Sequence, residues 1–193
     1  MARMGAELRR QDFIEATLKV IAEHGVPNAT TRRIAAAANS PLASLHYVFH
    51  TKDELFYAVY ESLINTPQQA LEQVPAGATT AESVAEMLRQ LVRWFTAHPE
   101  RATAQSELFF WILRNNPEMA SQIYAMAGEA TERAIERITD SQLDKAALTA
   151  LSRLLVNLFD GLLLAWSAHG DLQRLEEETD TACRAIRLLA ASY

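Results

Sequence analysis

The stretch TTRRIAAAANSPLASLHYVF, residues 30–49, carries the strongest structural signal in this chain. A threonine side chain, that of Thr30 or Thr31, can accept hydrogen bonds from the first free N–H groups of a helix that extends to about Ala38. Asn39 then suits a left-handed turn residue, because asparagine tolerates a positive φ better than other non-glycine residues. The first half of the stretch therefore predicts a short helix that ends in a tight turn.

The second half of the stretch predicts another short helix directly after the turn. Ser40 followed by Pro41 is typical of an N-cap and the first helical position, so we expect a helix over about residues 41–49. Two short helices joined in this way are typical of a helix-turn-helix, which places its second helix in the major groove of DNA. Many helical hairpins share this spacing, so other readings stay open on spacing alone. Residues suited to phosphate contacts lie near the helix starts: Thr30, Thr31, Arg32, Arg33 and Lys52.

The rest of the chain is predicted to be helical throughout. Apolar residues recur at helical spacing and no stretch alternates strictly, so we expect an all-α fold of about nine helices. Gly25 is expected to end a first helix that starts near Glu7, and Thr51-Lys-Asp-Glu54 predicts a capping box that opens a fourth helix ending near residue 73. Later helices, with caps at Thr80 and Asp171, are expected over about residues 80–97, 100–114, 117–138, 143–169 and 171–191.

Composition favours a globular protein outside the membrane. The 193 residues are 49% hydrophobic and 22% charged, which suits one domain or two small ones. The longest apolar run, residues 154–166, has 13 residues and includes Asn157 and Asp160, so it is too short and too polar for a membrane span. The chain starts without an apolar segment, and its one cysteine, Cys183, cannot form an internal disulfide. These features predict a cytoplasmic location.

Charge is distributed unevenly along the chain. Residues 1–52 carry seven Lys and Arg against four Asp and Glu, whereas residues 53–193 carry 11 against 20. A basic N-terminal part followed by an acidic body, residues 53–193, is typical of a polyanion-binding module joined to a second module. Chance would also explain so small an excess of basic residues. We therefore expect a DNA-binding domain over 1–52 and a domain for effector binding and dimerisation over 53–193.

The first 55 residues resemble the DNA-binding domain of the TetR family of transcriptional regulators. The family pattern is roughly G-x-x-x-x-T…I-A…A-G-V-S-x-G-x-L-Y-x-x-F…K-x-x-L. The residues in register with that pattern are Gly25, Thr30, Ile34, Ala35, Ala38, Leu45, Phe49, Lys52 and Leu55. Three positions depart from it: Asn39 replaces the turn glycine, His46 stands where a phosphate-contacting tyrosine is usual, and Val48 where histidine is common.

The resemblance implies roles for individual residues. Thr30, His46, Tyr47 and Lys52 would contact phosphates, while the start of the recognition helix would contact base edges through Leu42, Ala43 and Ser44. Ala35, Leu45 and Phe49 are expected in the core. Three of these assignments have alternatives: Tyr47 could pack within the chain, His50 could be either a phosphate ligand or a solvated loop residue, and Arg32 and Arg33 are adjacent, so both cannot face DNA equally.

The resemblance also implies a small-molecule pocket in the acidic body. The candidate lining residues are mostly large and apolar: Met87, Trp94, Phe110, Trp111, Tyr124, Met126, Asn157 and Phe159. Each could instead belong to the core, and Asn157 and Asp160 could lie at a dimer seam. In the family, the last two helices pair with those of a second copy. We therefore expect a homodimer that binds a palindromic operator and most simply acts as a repressor. A small apolar or amphipathic effector is expected to release it from the DNA.

Signals for enzyme chemistry are missing from the sequence. There is no His-Glu-x-x-His motif, no glycine-rich phosphate loop and no cysteine pair for zinc. We therefore expect no catalytic residues, no metal and no cofactor, and an inert rather than redox-sensing Cys183. The alternative function is a helical interaction module whose helix-turn-helix does not bind specific DNA.

Overall fold

The chain is helical wherever its structure is described. The computed structural model describes the backbone of residues 2–71, 79–138 and 143–193, and the side chains of residues 6–65, 79–138 and 143–193. These ranges contain nine α-helices, one 3-10 turn and no β-strand, which confirms the predicted all-α class. The elements are α1 (Ala2–His24), the 3-10 turn (Val26–Asn28), α2 (Thr31–Ala37), α3 (Leu42–Val48), α4 (Lys52–Leu71), α5 (Thr80–Ala97), α6 (Pro99–Asn115), α7 (Pro117–Ile138), α8 (Lys145–His169) and α9 (Leu172–Ala190).

Contacts between helices divide the chain into two compact units. The first comprises Met1–Leu63 with Pro99–Ile123, and the second comprises Ile64–His98 with Tyr124–Tyr193. This division differs from the expected boundary after residue 52, because α6 packs on α1 and on the 3-10 turn and so groups with the N-terminal helices. The functional roles expected on either side of residue 52 stay predictions.

The first unit is built around a core shared by its short helices. α1, α2 and α3 pack on one another, and α6 packs on α1. Fully buried side chains from these elements and from α4 fill the core, namely Phe13, Ile14, Ile21, Ile34, Leu45, Phe49, Leu55 and Phe56. The predicted core positions Ala35, Leu45 and Phe49 are therefore confirmed. α1 begins at Ala2 rather than near Glu7, and the predicted end of α4 near residue 73 lies outside the described residues.

Helix ends follow the local signals closely, with one shift. Gly25 has φ 75° and its N–H donates to the Ile21 carbonyl at 2.8 Å, which ends α1 as predicted. The cap of α5 is Thr79 rather than Thr80: its hydroxyl accepts from the Glu82 N–H at 3.2 Å, and the Glu82 carboxylate accepts from the Thr79 N–H at 3.4 Å. Thr80 fails as the cap because the reciprocal bonds of a capping box need a residue three before the glutamate.

The second unit packs α5, α8 and α9 against one another. α8 is a 25-residue helix, longer than the 13-residue apolar run noted in the sequence, and by length and composition alone it could cross a membrane. Core helices pass the same test, and α8 buries Leu148, Leu151 and Leu155 within its own unit. Packing within the unit therefore accounts for part of its apolar composition.

Candidate functional site

α2 and α3 form a helix-turn-helix with a well-defined turn. Asn39 has φ 53°, the left-handed conformation expected from the sequence. The Asn39 N–H donates to the Ala36 carbonyl at 3.0 Å and the Ser40 N–H donates to the Ala35 carbonyl at 2.9 Å. This pair of bonds is a Schellman motif, which uses the last free carbonyls of α2 and turns the chain sharply into α3.

The start of α3 differs from the predicted one. Pro41 is the N-cap, with ψ 143°, and the first helical residue is Leu42. The Ser40 hydroxyl donates to the Ala38 carbonyl at 3.2 Å and caps no N–H group of α3. The prediction that Ser40 is the cap was wrong, because Pro41 has an extended backbone. The helix therefore starts one residue later than predicted.

The outer surface of α3 is exposed, as DNA recognition requires. Tyr47 is 82% exposed, which excludes the alternative that it packs within the described chain. Ala43 and His46 are also exposed, whereas Leu42 and Ser44 are half-buried. Since Leu45 faces the core, the helix presents one face inward and leaves the opposite face available.

The N-terminal end of α2 combines a cap with basic side chains. The Thr30 hydroxyl accepts from the Arg33 N–H at 3.2 Å, so Thr30 and not Thr31 is the cap. The Arg33 guanidinium donates to the Asn28 carbonyl at 3.0 Å, while Arg32 is exposed and Thr31 is half-buried. Both adjacent arginines are thus exposed, and Arg33 has a hydrogen-bond partner in the chain.

The start of α4 holds the last two predicted DNA-contacting residues. The Thr51 hydroxyl accepts from the Glu54 N–H at 3.0 Å, but the Glu54 carboxylate bonds the N–H of exposed His50 at 2.9 Å rather than that of Thr51. The Lys52 ammonium lies over the rings of Phe56 and Trp111, and burial lowers its pKa from the ordinary lysine value. Local sequence gave no sign of these ring contacts.

Helix α6 makes polar contacts with the N-terminal helices that sequence reasoning missed. The Glu107 carboxylate accepts from the Val26 N–H at 3.3 Å, and the Arg101 guanidinium donates to the Glu15 carboxylate at 2.6 Å. These partners are 81 and 86 residues apart in the chain, so spacing within the sequence could not reveal them.

The predicted ligand-binding residues divide between the two units. Phe110 and Trp111 belong to the first unit, where Phe110 is 52% exposed and Trp111 packs on Phe56. The other six belong to the second unit: Met87 and Phe159 are buried, Trp94 and Met126 half-buried, and Tyr124 and Asn157 exposed. There, Phe95 joins two of them, with ring centroids 4.8 Å from Trp94 and 5.0 Å from Phe159.

Side-chain hydrogen bonds link α7 to α8 in the second unit, and one of them involves a predicted ligand-binding residue. The Tyr124 hydroxyl donates to the Asp160 carboxylate at 2.6 Å. Burial raises the pKa of Asp160, and burial together with this bond raises the pKa of Tyr124. Asp160 is therefore a half-buried carboxylate in a mostly apolar helix, a suitable partner for a cationic group.

Other candidate sites offer less. A groove of about 220 Å³ between α5 and α9 is lined by Arg89, Val92, Arg93, Thr96, Leu172, Leu175, Glu176 and Thr179, and by none of the predicted ligand residues. Among the described residues, no three His, Cys, Asp or Glu side chains group as metal ligands. The Cys183 thiol is buried and donates to the Ala85 carbonyl at 3.3 Å. Burial also raises its pKa, which reduces the reactive thiolate form.

These features define a helix-turn-helix protein with a second helical unit, and the comparisons agree. A family model described as bacterial regulatory proteins, tetR family, matches residues 13–59. The nicotine-responsive transcriptional repressor HdnoR of Paenarthrobacter nicotinovorans is 28% identical, over 83% of this chain and 84% of that protein. The transcriptional repressor AcnR of Corynebacterium diphtheriae is 26% identical, over 93% of this chain and 92% of that protein.

Solved structures share the fold over most of the chain. The multidrug binding protein EbrR in complex with ethidium has a TM-score of 0.70 and 25% identity, and the match covers 91% of this chain and 96% of that one. A transcriptional regulator from Rhodococcus sp. RHA1 has a TM-score of 0.71 and 21% identity over 92% and 95%. Residues 13–59 carry the DNA-binding domain of the TetR family, and the chain is a DNA-binding transcriptional regulator.

Proposed function

We propose that the protein is a cytoplasmic repressor that binds a palindromic operator as a homodimer. The exposed outer face of α3, held by the Schellman turn at Asn39, is the observation that carries this proposal. Leu42, Ala43 and Ser44 contact base edges at the start of α3. The phosphate contacts come from side chains at or near helix ends, namely Thr30, Thr31, Arg32, Arg33, His46, Tyr47, His50 and Lys52.

DNA from upstream of its own gene provides the test. We expect a labelled fragment to bind at nanomolar protein, with an affinity that falls steeply as salt rises, because phosphate contacts release counterions. A fragment of the same length and scrambled sequence is the control. Equal affinity for both fragments would favour the alternative, a helical interaction module without specific DNA binding.

We further propose that the second unit binds a small aromatic molecule with a cationic nitrogen, and that binding releases the DNA. The relatives support this class: HdnoR is nicotine-responsive and EbrR forms complexes with ethidium. In this chain, the rings of Trp94, Phe95 and Phe159 supply apolar contact. The Asp160 carboxylate, hydrogen-bonded to Tyr124, supplies the negative charge.

A further inference from the structure

Two aromatic rings contact the ammonium group of Lys52, the first residue of α4. Its Nζ atom lies 4.7 Å from the centroid of the Phe56 ring and 5.5 Å from that of the Trp111 ring. The two rings meet edge to face, with centroids 5.2 Å apart and planes at 89°. We refer to Lys52, Phe56 and Trp111 as the lysine cage.

The cage keeps a cation where helix electrostatics oppose one. Free N–H groups give the N-terminus of a helix a partial positive charge, which favours residues such as Asp53 and Glu54 and disfavours lysine. Burial adds a second cost, since it removes water from the ammonium and lowers the pKa of Lys52. The ring faces of Phe56 and Trp111 carry negative potential and offset both costs.

We propose that Trp111 is a positioning residue for DNA binding, which acts by holding the Lys52 ammonium ready for a phosphate. The proposal rests on the phosphate contact proposed above for Lys52. A lysine side chain is long and flexible, so fixing it before DNA arrives reduces the entropy lost on binding. Because Trp111 lies on α6, DNA affinity then depends on a helix outside the helix-turn-helix.

A double-mutant cycle on the full chain tests this positioning. The probe is a labelled duplex of about 30 base pairs and mixed sequence at low salt, since phosphate contacts need no particular sequence. We expect Trp111→Leu to weaken binding about threefold to tenfold in the wild-type background and to have no effect after Lys52→Met. Leu113→Ala, an exposed change on the same helix, is the matched control and should leave affinity unchanged.

Two further measurements separate positioning from a loss of folding. Fluorinated tryptophans at position 111 keep the ring shape but weaken the negative potential of its face, so affinity should fall as fluorine is added. The NMR signals of the Lys52 ε-CH₂ group should be shifted upfield by the rings. That shift should shrink in Trp111→Leu and be largely kept in Trp111→Phe.

The outcomes distinguish this proposal from the one on which it rests. If Lys52→Met leaves both affinity and salt dependence unchanged, the phosphate contact of Lys52 is wrong. If Lys52→Met weakens binding but Trp111→Leu weakens it equally in both backgrounds, Trp111 has only a structural role. Tighter binding by Trp111→Leu would also overturn the proposal, because the cage would then withhold Lys52 from DNA.

Discussion

On α3, exposure to solvent distinguishes the side chains proposed to contact bases from those that pack in the core. Leu45 is buried beneath the helix, while Ala43, His46 and Tyr47 are exposed on its outer surface. Ser44 is half-buried at the edge of that surface, where its hydroxyl can donate or accept. Differences in exposure along a helix of seven residues thus separate the candidate contacts from the core.

Replacing Ser44 with alanine tests base recognition. If its hydroxyl bonds a base, Ser44→Ala should weaken operator binding by about 1–3 kcal/mol and relax the preference at one base pair. Competition between operator variants, each changed at one position, measures both effects. A uniform loss across all variants would contradict a base contact and indicate a role in backbone binding.

Asp160 should make ligand binding depend on pH. Burial raises the pKa of this carboxyl. As the pH falls, Asp160 therefore becomes neutral at a higher pH than an ordinary aspartate does. Affinity for ethidium, a permanent cation, should therefore decrease as pH falls through the raised pKa. Asp160→Asn should weaken binding about tenfold or more at neutral pH and remove this pH dependence.

Fluorescence titration of ethidium without DNA measures these affinities. Glu177→Gln, which removes an exposed carboxylate from α9, is the control and should keep both the affinity and the pH profile of the wild type. Unchanged binding by Asp160→Asn would place the cation elsewhere.

At the scale of elements, the turn between α2 and α3 determines how the recognition helix is presented. Asn39 occupies the left-handed region where the TetR pattern has glycine, and it closes a Schellman motif. The short polar side chain of asparagine makes this conformation less costly than the side chains of other non-glycine residues do. The departure from the family pattern is therefore compatible with an intact helix-turn-helix.

Alanine and glycine at position 39 should have different effects on stability. Asn39→Ala is expected to lower the free energy of unfolding by about 1 kcal/mol, because alanine is strained at positive φ. Asn39→Gly should be neutral or slightly stabilising, since glycine adopts this conformation without strain. Urea denaturation followed by circular dichroism gives both values, and equal stability of the two variants would rule out strain at this turn.

At the scale of the whole molecule, we expect the proposed homodimer to cover exposed leucines on α8 and α9. Leu164 is 49% exposed and Leu188 is 77% exposed, and pairing would remove both side chains from water. Sedimentation at micromolar concentration should give a dimer for the wild type and a monomer for Leu188→Lys. Leu8→Lys, at an exposed leucine of α1, is the control and should remain dimeric. A monomeric wild type would contradict the proposed homodimer and its paired half-sites.

We expect α4 to transmit the effect of ligand binding to the recognition helix and so cause release of DNA. This helix begins at Lys52, directly after the recognition helix and its following turn, and continues to Leu71. A ligand that prefers the arrangement with low DNA affinity must weaken operator binding by its difference in affinity for the two states. Tryptophan quenching by a panel of small molecules identifies ligands, and each is then tested for operator release. Tight ligands that leave operator affinity unchanged would limit the second unit to dimerisation.

The sequence by itself determined the helical class, the cap at Asp171, the choice of Thr30 or Thr31 as the cap of α2, and the turns at Gly25 and Asn39. These features depend on hydrogen bonds and φ preferences among residues close together in the chain, so local patterns predict them. Resemblance to the TetR pattern added the family and a prediction of the DNA-contacting face. Exact helix starts were less predictable, as Pro41 and Thr79 illustrate, because neighbouring residues compete for the same cap.

Only the tertiary structure decided which distant elements pack together. It grouped α6 with the N-terminal helices, placed Trp111 over Lys52, and paired Tyr124 with Asp160. Lys52 and Trp111 are on different helices, and amphipathic spacing indicates that each helix buries a face without indicating its partner. Burial and contact between separate helices also set the pKa values of Lys52 and Asp160, so these properties require the folded chain.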